Sequence, residues 1–143
     1  MSGKISNAES AEALVKQYFA AFNDGDVDGM LACLTDDVAH DVNQGGRRTG
    51  KAMFAEFCAH MARCYRETLS GIAVMTAADG ARASAEFIVD GIYLADDEGL
   101  PPATGQTYRL PARTFFEIAD GKIARVTTYY NLNDWIAQVG GGK

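Results

Sequence analysis

Apolar residues recur at helical spacing through the first part of the chain. Ser6 and Glu9 have the spacing of a capping box, in which two backbone N–H groups at a helix start gain partners. Gly25 suits the end of this first helix, and Asp26 can cap a short second helix. The predicted buried stripe of the first helix contains Ala11, Leu14, Val15, Tyr18, Phe19 and Phe22.

A strand and a third helix follow. Residues 38–43 alternate as a strand does, and residues 44–47 read as a turn. Thr49 can cap the third helix. The apolar stripe of that helix contains Met53, Phe54, Phe57, Cys58, Met61 and Tyr65.

From about residue 66 the apolar period changes to two, which is typical of strands. Asp79-Gly80 and Asp120-Gly121 suit hairpin turns, and Gly91 could mark a bulge or bend. A short helix is predicted from Leu132 onward. The predicted strands span residues 69–76, 83–94, 107–119 and 122–130.

This order of elements predicts the fold class. Hairpin-length connections make the late strands antiparallel, and the helices that precede them must pack on one face of the sheet. We therefore expect one α+β domain over residues 1–143, in which a strongly curved antiparallel sheet forms a cone-shaped barrel. Three N-terminal helices would cover this sheet and enclose one pocket.

Composition and charge disfavour several classes of binding partner. The net charge is −6 and no basic stripe is present, which disfavours nucleic acid. No apolar run approaches membrane-spanning length, and the first residues lack a signal-peptide core, so we expect a cytoplasmic protein without membrane contact. The three cysteines form no Cys-x-x-Cys pair, and His60 has no evident ligand-spaced partner. We expect neither a metal nor a cofactor.

Segment 17–29, QYFAAFNDGDVDG, is followed by Thr35-Asp36-Asp37 and later by a hairpin that contains Asp120-Gly121-Lys122-Ile123. These segments resemble the ketosteroid isomerases of the nuclear transport factor two-like superfamily. SnoaL-like polyketide cyclases and limonene-epoxide hydrolases are relatives within that superfamily. The resemblance implies the cone-shaped fold, a small and mostly apolar substrate, and proton transfer beside a carbonyl.

The resemblance also implies roles for single residues. Tyr18 matches the tyrosine that donates a hydrogen bond to the developing oxyanion, although its spacing equally fits simple packing within the first helix. The carboxylate base of the family falls on Val42 without a gap and on Asp41 with a shorter or bulged strand.

The alternation of strand residues gives a competing choice of base. His40 shares a face with Val38 and Val42, whereas Asp41 points to the opposite face. The base could be His40, Asp41 or neither of them, and a regular strand cannot direct both side chains into one pocket. Asn43 could orient Asp41, or it could belong to the turn that follows.

At two other predicted pocket positions, this chain has threonine where the related enzymes have a carboxyl group. The family's protonated carboxylic acid falls on Thr114, and the carboxylate of the epoxide hydrolases falls on Thr128. We expect both threonines to contact the substrate, although Tyr130 could instead belong to the cap of the last helix. The predicted substrate-binding residues are Asn43, Phe57, Thr114, Phe116, Thr128 and Tyr130.

Two classes of function remain open. The chain could be an isomerase-like or cyclase-like enzyme in which Tyr18 steadies an oxyanion and Asp41 or His40 moves a proton. It could instead be a non-catalytic binding module, or a structural dimer with a filled pocket. In each case we expect a homodimer through the outer sheet face, where Arg109, Arg113, Phe115 and Glu117 alternate with inward residues.

Overall fold

A computed structural model describes residues 6–140 of the chain. Four helices and six strands follow one another, and their order confirms the predicted α+β class. The helices are α1 (Asn7–Asp24), α2 (Val27–Ala32), α3 (Lys51–Cys64) and α4 (Leu132–Val139). The strands are β1 (Leu34–Val42), β2 (Arg48–Thr49), β3 (Tyr65–Thr76), β4 (Arg82–Tyr93), β5 (Thr107–Ala119) and β6 (Lys122–Tyr130).

The first helix begins and ends as its sequence predicts. The Ser6 hydroxyl accepts the N–H of Glu9 at 3.0 Å, and the Glu9 carboxylate accepts the N–H of Ser6 at 2.9 Å. Gly25 ends the helix in the left-handed conformation, with φ of 71°, which favours glycine. These two caps fix the ends of the helix that carries Tyr18.

The start of the third helix differs from the prediction. Thr49 does not cap α3 but pairs with Ala39 in the two-residue strand β2. Gly50 precedes the helix with φ of 99° and donates its N–H to the Val38 carbonyl at 2.8 Å. A threonine would be strained at that backbone angle, so the cap shifts to the glycine.

The six strands form one sheet in the order β2-β1-β6-β5-β4-β3. The hairpins of β3–β4, β4–β5 and β5–β6 are antiparallel, but β1 runs parallel to β6. The sheet is therefore mixed: the late strands are antiparallel as predicted, and the sequence prediction lacked the one parallel pair. Because β1 and β6 are far apart in the sequence, no hairpin spacing could reveal this pair. The sheet is open, which is consistent with a curved, cone-like shape.

One face of the sheet, the inner face, packs against the helices. Along β5 the residues alternate strictly: Leu110, Ala112 and Thr114 are buried, while Arg109 and Arg113 are exposed. Phe19 of α1 packs on Phe87 and Phe116 of this inner face, and such aromatic pairs contribute roughly 0.5–1.5 kcal/mol each. Among residues 6–140, no helix is long and apolar enough to cross a membrane.

Gly91 lies in a regular part of β4 rather than at a bulge. It pairs with Glu67 on one side and with Tyr108 on the other. A Cβ at this position would overlap the Tyr108 ring, which lies across the glycine. The irregular register lies instead between Ser70 and Ala73 of β3. Gly91 is thus explained by a side chain from the neighbouring strand, which the sequence alone could not indicate.

Candidate functional site

Tyr18 lies on the buried side of α1, and its side chain is only 6% exposed. Its ring makes edge contacts with Phe19, Phe54 and Phe116 at centroid distances of 5.5, 6.4 and 5.8 Å. Among residues 6–140, the buried side-chain atoms without a hydrogen-bond partner are Thr35 Oγ1 and His40 Nδ1, and the Tyr18 hydroxyl is not one of them. Burial raises the pKa of Tyr18 well above its usual value, so the phenol stays protonated and can only donate or accept a hydrogen bond.

His40 lies on β1 and is 4% exposed. Its ring packs between Phe54 at 4.7 Å and Phe57 at 4.6 Å, and Arg48 lies over the Phe57 ring. The buried Nδ1 atom of His40 has no hydrogen-bond partner in the described chain. Burial, reinforced by the charge of Arg48, lowers the pKa of His40 to about 4. The imidazole is therefore neutral at physiological pH.

Asp41 points to the opposite face of β1. Both of its oxygens accept hydrogen bonds from Arg47 at 2.9 Å, and one also accepts the Thr127 hydroxyl at 2.8 Å. The hydrogen bond from Arg47 lowers the pKa of Asp41 to about 2. The structure thus brings His40, and not Asp41, to the side of the sheet that carries Tyr18.

Asn43 belongs to the turn after β1, and its hydrogen bonds go to β6 rather than to Asp41. Its φ is 49°, and its side-chain oxygen accepts the N–H of Tyr130 at 2.8 Å. Its own N–H donates to the Thr128 carbonyl at 2.9 Å. The residue therefore joins the end of β1 to the end of β6, where the sequence had allowed either an orienting role or a turn.

Thr114 and Thr128 are cross-strand partners on the inner face. Their hydroxyls share a hydrogen bond of 3.0 Å, so each uses part of the other's hydrogen-bonding capacity. Phe116, the next inward residue of β5, is fully buried and contacts Tyr18. The predicted residues Thr114, Phe116 and Thr128 therefore do line the inner face near Tyr18.

The sequence reading missed a carboxylate on the same face. Glu67 of β3 accepts the Tyr108 hydroxyl at 2.6 Å, and burial raises the pKa of Glu67 above its usual range. Burial raises the pKa of Tyr130, and the charges of Glu67 and Asp97 raise it further. The available signal was alternation, because Glu67 shares its parity with the buried Leu69.

A separate polar cluster joins α3 to the loop after β4. His60 Nε2 lies 3.0 Å from Asp97, and Cys64 is one helical turn from His60. The ligand atoms of these three side chains are close enough together to hold one metal ion. His60 therefore does have ligand-spaced neighbours, contrary to the sequence reading. Arg63 lies 3.1 Å from the other imidazole nitrogen and opposes a cation there. We therefore assign a structural role to this cluster, which anchors the loop after β4 to α3.

Two surface depressions have volumes of about 280 and 140 Å³. The larger one lies beside the start of α1, and the smaller one lies on the outer sheet face near Met75 and Phe115. Neither is lined by Tyr18 or His40, whose surroundings are filled by aromatic rings. The enclosed pocket remains a prediction.

Comparison with known families agrees with this fold. The sequence profile of the SnoaL-like domain matches residues 15–126, which is well over half of the chain. The chain therefore belongs to the SnoaL-like domain family. This confirms the resemblance found in segment 17–29. The comparison with curated proteins finds no match.

Three solved bacterial structures are similar over nearly their whole length, and each is provisionally assigned as a polyketide cyclase. The Pseudomonas putida protein is 61% identical, with a TM-score of 0.88, and the match covers 95% of this chain and 99% of that one. The Xanthomonas campestris protein is 54% identical, with a TM-score of 0.90 and coverage of 93% and 98%. The Silicibacter protein is also 54% identical, with a TM-score of 0.90 and coverage of 96% and 98%.

Proposed function

We propose that this chain is an isomerase-type or cyclase-type enzyme that moves a proton beside a carbonyl of a small, mostly apolar molecule. One observation carries the proposal: Tyr18 and His40 pack on the same ring, Phe54, and His40 Nδ1 is a buried atom without a hydrogen-bond partner in the described chain. Buried polar atoms are nearly always paired, so an unpaired nitrogen beside Tyr18 favours a ligand. The assignment of the three similar bacterial proteins supports the same class of function.

The proposed reaction divides the work between the two side chains. The neutral His40 Nδ1 takes a proton from the carbon beside the carbonyl, and the electron pair of that C–H bond moves toward the carbonyl oxygen. The Tyr18 hydroxyl donates a hydrogen bond to the enolate oxygen so formed. In a β,γ-unsaturated ketone, the imidazolium then returns the proton to the γ-carbon. This moves the C=C double bond into conjugation with the carbonyl. No proton is gained or lost overall.

Access would follow the ring of Phe57. Of the two rings that pack on His40, Phe54 is fully buried, whereas Phe57 is half-buried and lies under Arg48. We place the opening there, because a side-chain rotation of Phe57 would expose His40 without unfolding α3. Phe57 thus keeps its predicted role as a substrate-binding residue within the proposal.

The test follows the conversion of a β,γ-unsaturated ketone to its conjugated isomer by the rise in enone absorbance. We expect Tyr18→Phe and His40→Gln each to lower kcat by about 100-fold or more, since each removes one proton donor or acceptor in the transition state. Tyr129→Phe and His60→Gln are the matched controls. Tyr129 packs on Phe115, which lies outside the inner face.

Asp41→Asn separates the two candidate bases. Because Asp41 is engaged by Arg47 on the outer face, the variant should keep the activity when it is assayed well below its unfolding temperature. A loss of activity in Asp41→Asn at full folding, with none in His40→Gln, would reverse the assignment. Saturable ligand binding without any turnover would instead favour the non-catalytic binding module.

A further inference from the structure

Arg48 and His40 are cross-strand neighbours at one edge of the sheet. Arg48 of β2 lies directly opposite His40 of β1 in the antiparallel register, so both side chains project from the inner face. The guanidinium carbon of Arg48 lies 4.9 Å from the centroid of the Phe57 ring, and that centroid lies 4.6 Å from the centroid of the imidazole. Arg48, Phe57 and His40 thus form a continuous series of contacts that leads from a cation to a buried imidazole.

Arg48 differs from the other arginines in combining partial burial with the lack of a carboxylate partner. Residues 6–140 contain two half-buried arginines, Arg48 and Arg125, and Arg125 Nε lies 2.6 Å from the Glu117 carboxylate. A charge that is partly removed from water favours an anionic partner. The arginines within 4.0 Å of a carboxylate in this part of the chain are Arg47, Arg82, Arg109 and Arg125, and Arg48 is not among them.

The opening movement proposed for Phe57 also involves Arg48. A rotation of the ring that exposes His40 would remove the ring from the guanidinium as well. The planar guanidinium can donate two parallel hydrogen bonds to a carboxylate, which is a stronger partner than an aromatic face. The space vacated by the ring would therefore have a free cation at its entrance and the unpaired His40 Nδ1 at its inner end.

We propose that Arg48 binds a carboxylate of the substrate, so that the substrate class is a small, mostly apolar keto acid. This inference rests on the proposed function, because the ketone of the same molecule would face His40 and Tyr18. The carboxylate stays ionised and takes no part in the proton transfer, so Arg48 is a specificity-determining residue. The same guanidinium would repel a cationic ligand group.

The test compares two flat probes of nearly the same shape, 2-naphthoate and its neutral amide, 2-naphthamide. Binding is measured by titration calorimetry at about pH 8, where a carboxylic acid is ionised. We expect the wild-type chain to bind 2-naphthoate at least about 10-fold more tightly than the amide, because only the carboxylate forms charge-assisted hydrogen bonds with Arg48. Arg48→Gln should remove most of that preference with little change in amide binding, and Arg48→Lys should keep part of it.

Arg47→Gln is the matched control, because it removes the same charge from the preceding residue, whose guanidinium is engaged by Asp41 on the outer face. This variant should keep the preference. The chain contains only two histidines, His40 and His60, so NMR of the imidazole rings can place the probe. Bound 2-naphthoate should shift the resonances of His40 and leave those of His60 in place.

Equal affinity of the wild type for the two probes, including no measurable binding of either, overturns the proposal. A preference that Arg48→Gln retains overturns it too, as does bound 2-naphthoate that leaves the His40 resonances unchanged. The wild-type comparison and the NMR shifts keep the test decisive should Arg48→Gln not fold. Because these readouts need no turnover, a carboxylate preference without enone formation would refute the proposed reaction alone, and enone formation without the preference would refute this inference alone.

Discussion

His40 combines burial with an unsatisfied nitrogen, and this combination links stability to pH. A buried imidazole resists protonation, so its pKa of about 4 lies below the usual 6.5. Between these two values the unfolded chain binds a proton that the folded chain does not bind. The contribution to stability is therefore complete above about pH 6.5 and decreases as the pH falls toward 4.

Replacing the imidazole should flatten this dependence. The wild-type free energy of unfolding should decrease by about 2–3 kcal/mol more than that of His40→Phe between about pH 7 and 4.5, since one pKa unit corresponds to 1.36 kcal/mol. Urea unfolding at both pH values measures the difference, and His60→Gln serves as the control histidine variant. Equal slopes for the wild type and His40→Phe would contradict the assignment.

The same pKa predicts the acid limb of the proposed reaction. His40 remains neutral, and hence able to accept a proton, down to about pH 5, where an ordinary histidine would already be charged. The rate should therefore change little between neutral pH and that point. This would distinguish His40 from an unshifted histidine acting as base.

At the scale of elements, β4 depends on the absence of one side chain. Gly91→Ala would force the Tyr108 ring away from its place, and with it the hydroxyl that holds Glu67. Overpacking of this kind typically costs about 1–3 kcal/mol. We expect the urea midpoint of Gly91→Ala to fall accordingly.

Gly46→Ala is the control for this change, because nothing lies within 4 Å of a Cβ at that turn position. A double variant tests the same contact. Adding Tyr108→Ala to Gly91→Ala removes the overlap, so the loss of stability in the double variant should be smaller than the sum of the two single losses. Full additivity of the two changes would mean that the ring and the glycine do not interact.

The helices and strands also show how much of the fold could be predicted from the sequence. Local signals sufficed for the caps of α1, for the hairpins and for the parity that directs His40 inward and Asp41 outward. They could not indicate the β1–β6 pair, because pairing between distant segments leaves no local pattern. They also missed Glu67, because the predicted strand began at residue 69 whereas β3 begins at Tyr65, and only the register with Gly91 and Tyr108 reveals its partner.

At the scale of the whole molecule, the outer sheet face remains the predicted dimer surface. Met75 and Phe115 are 47% and 40% exposed beside the shallow depression on this face. Light scattering should give a mass of about twice the chain's 15.3 kDa, and Phe115→Glu should shift it toward one chain. Leu132→Glu alters an exposed apolar residue of α4 and should not. A monomeric wild type would refute the dimer.

The parallel pairing of β1 with β6 has a consequence for synthesis of the chain on the ribosome. Until residues 122–130 emerge, β1 has only the two-residue strand β2 as a partner, although α1 to α3 are already complete. Contacts between segments so distant in sequence slow folding. The edge of β1 that pairs with β6 therefore stays open until residues 122–130 have emerged, and an open strand edge of this kind favours binding by chaperones.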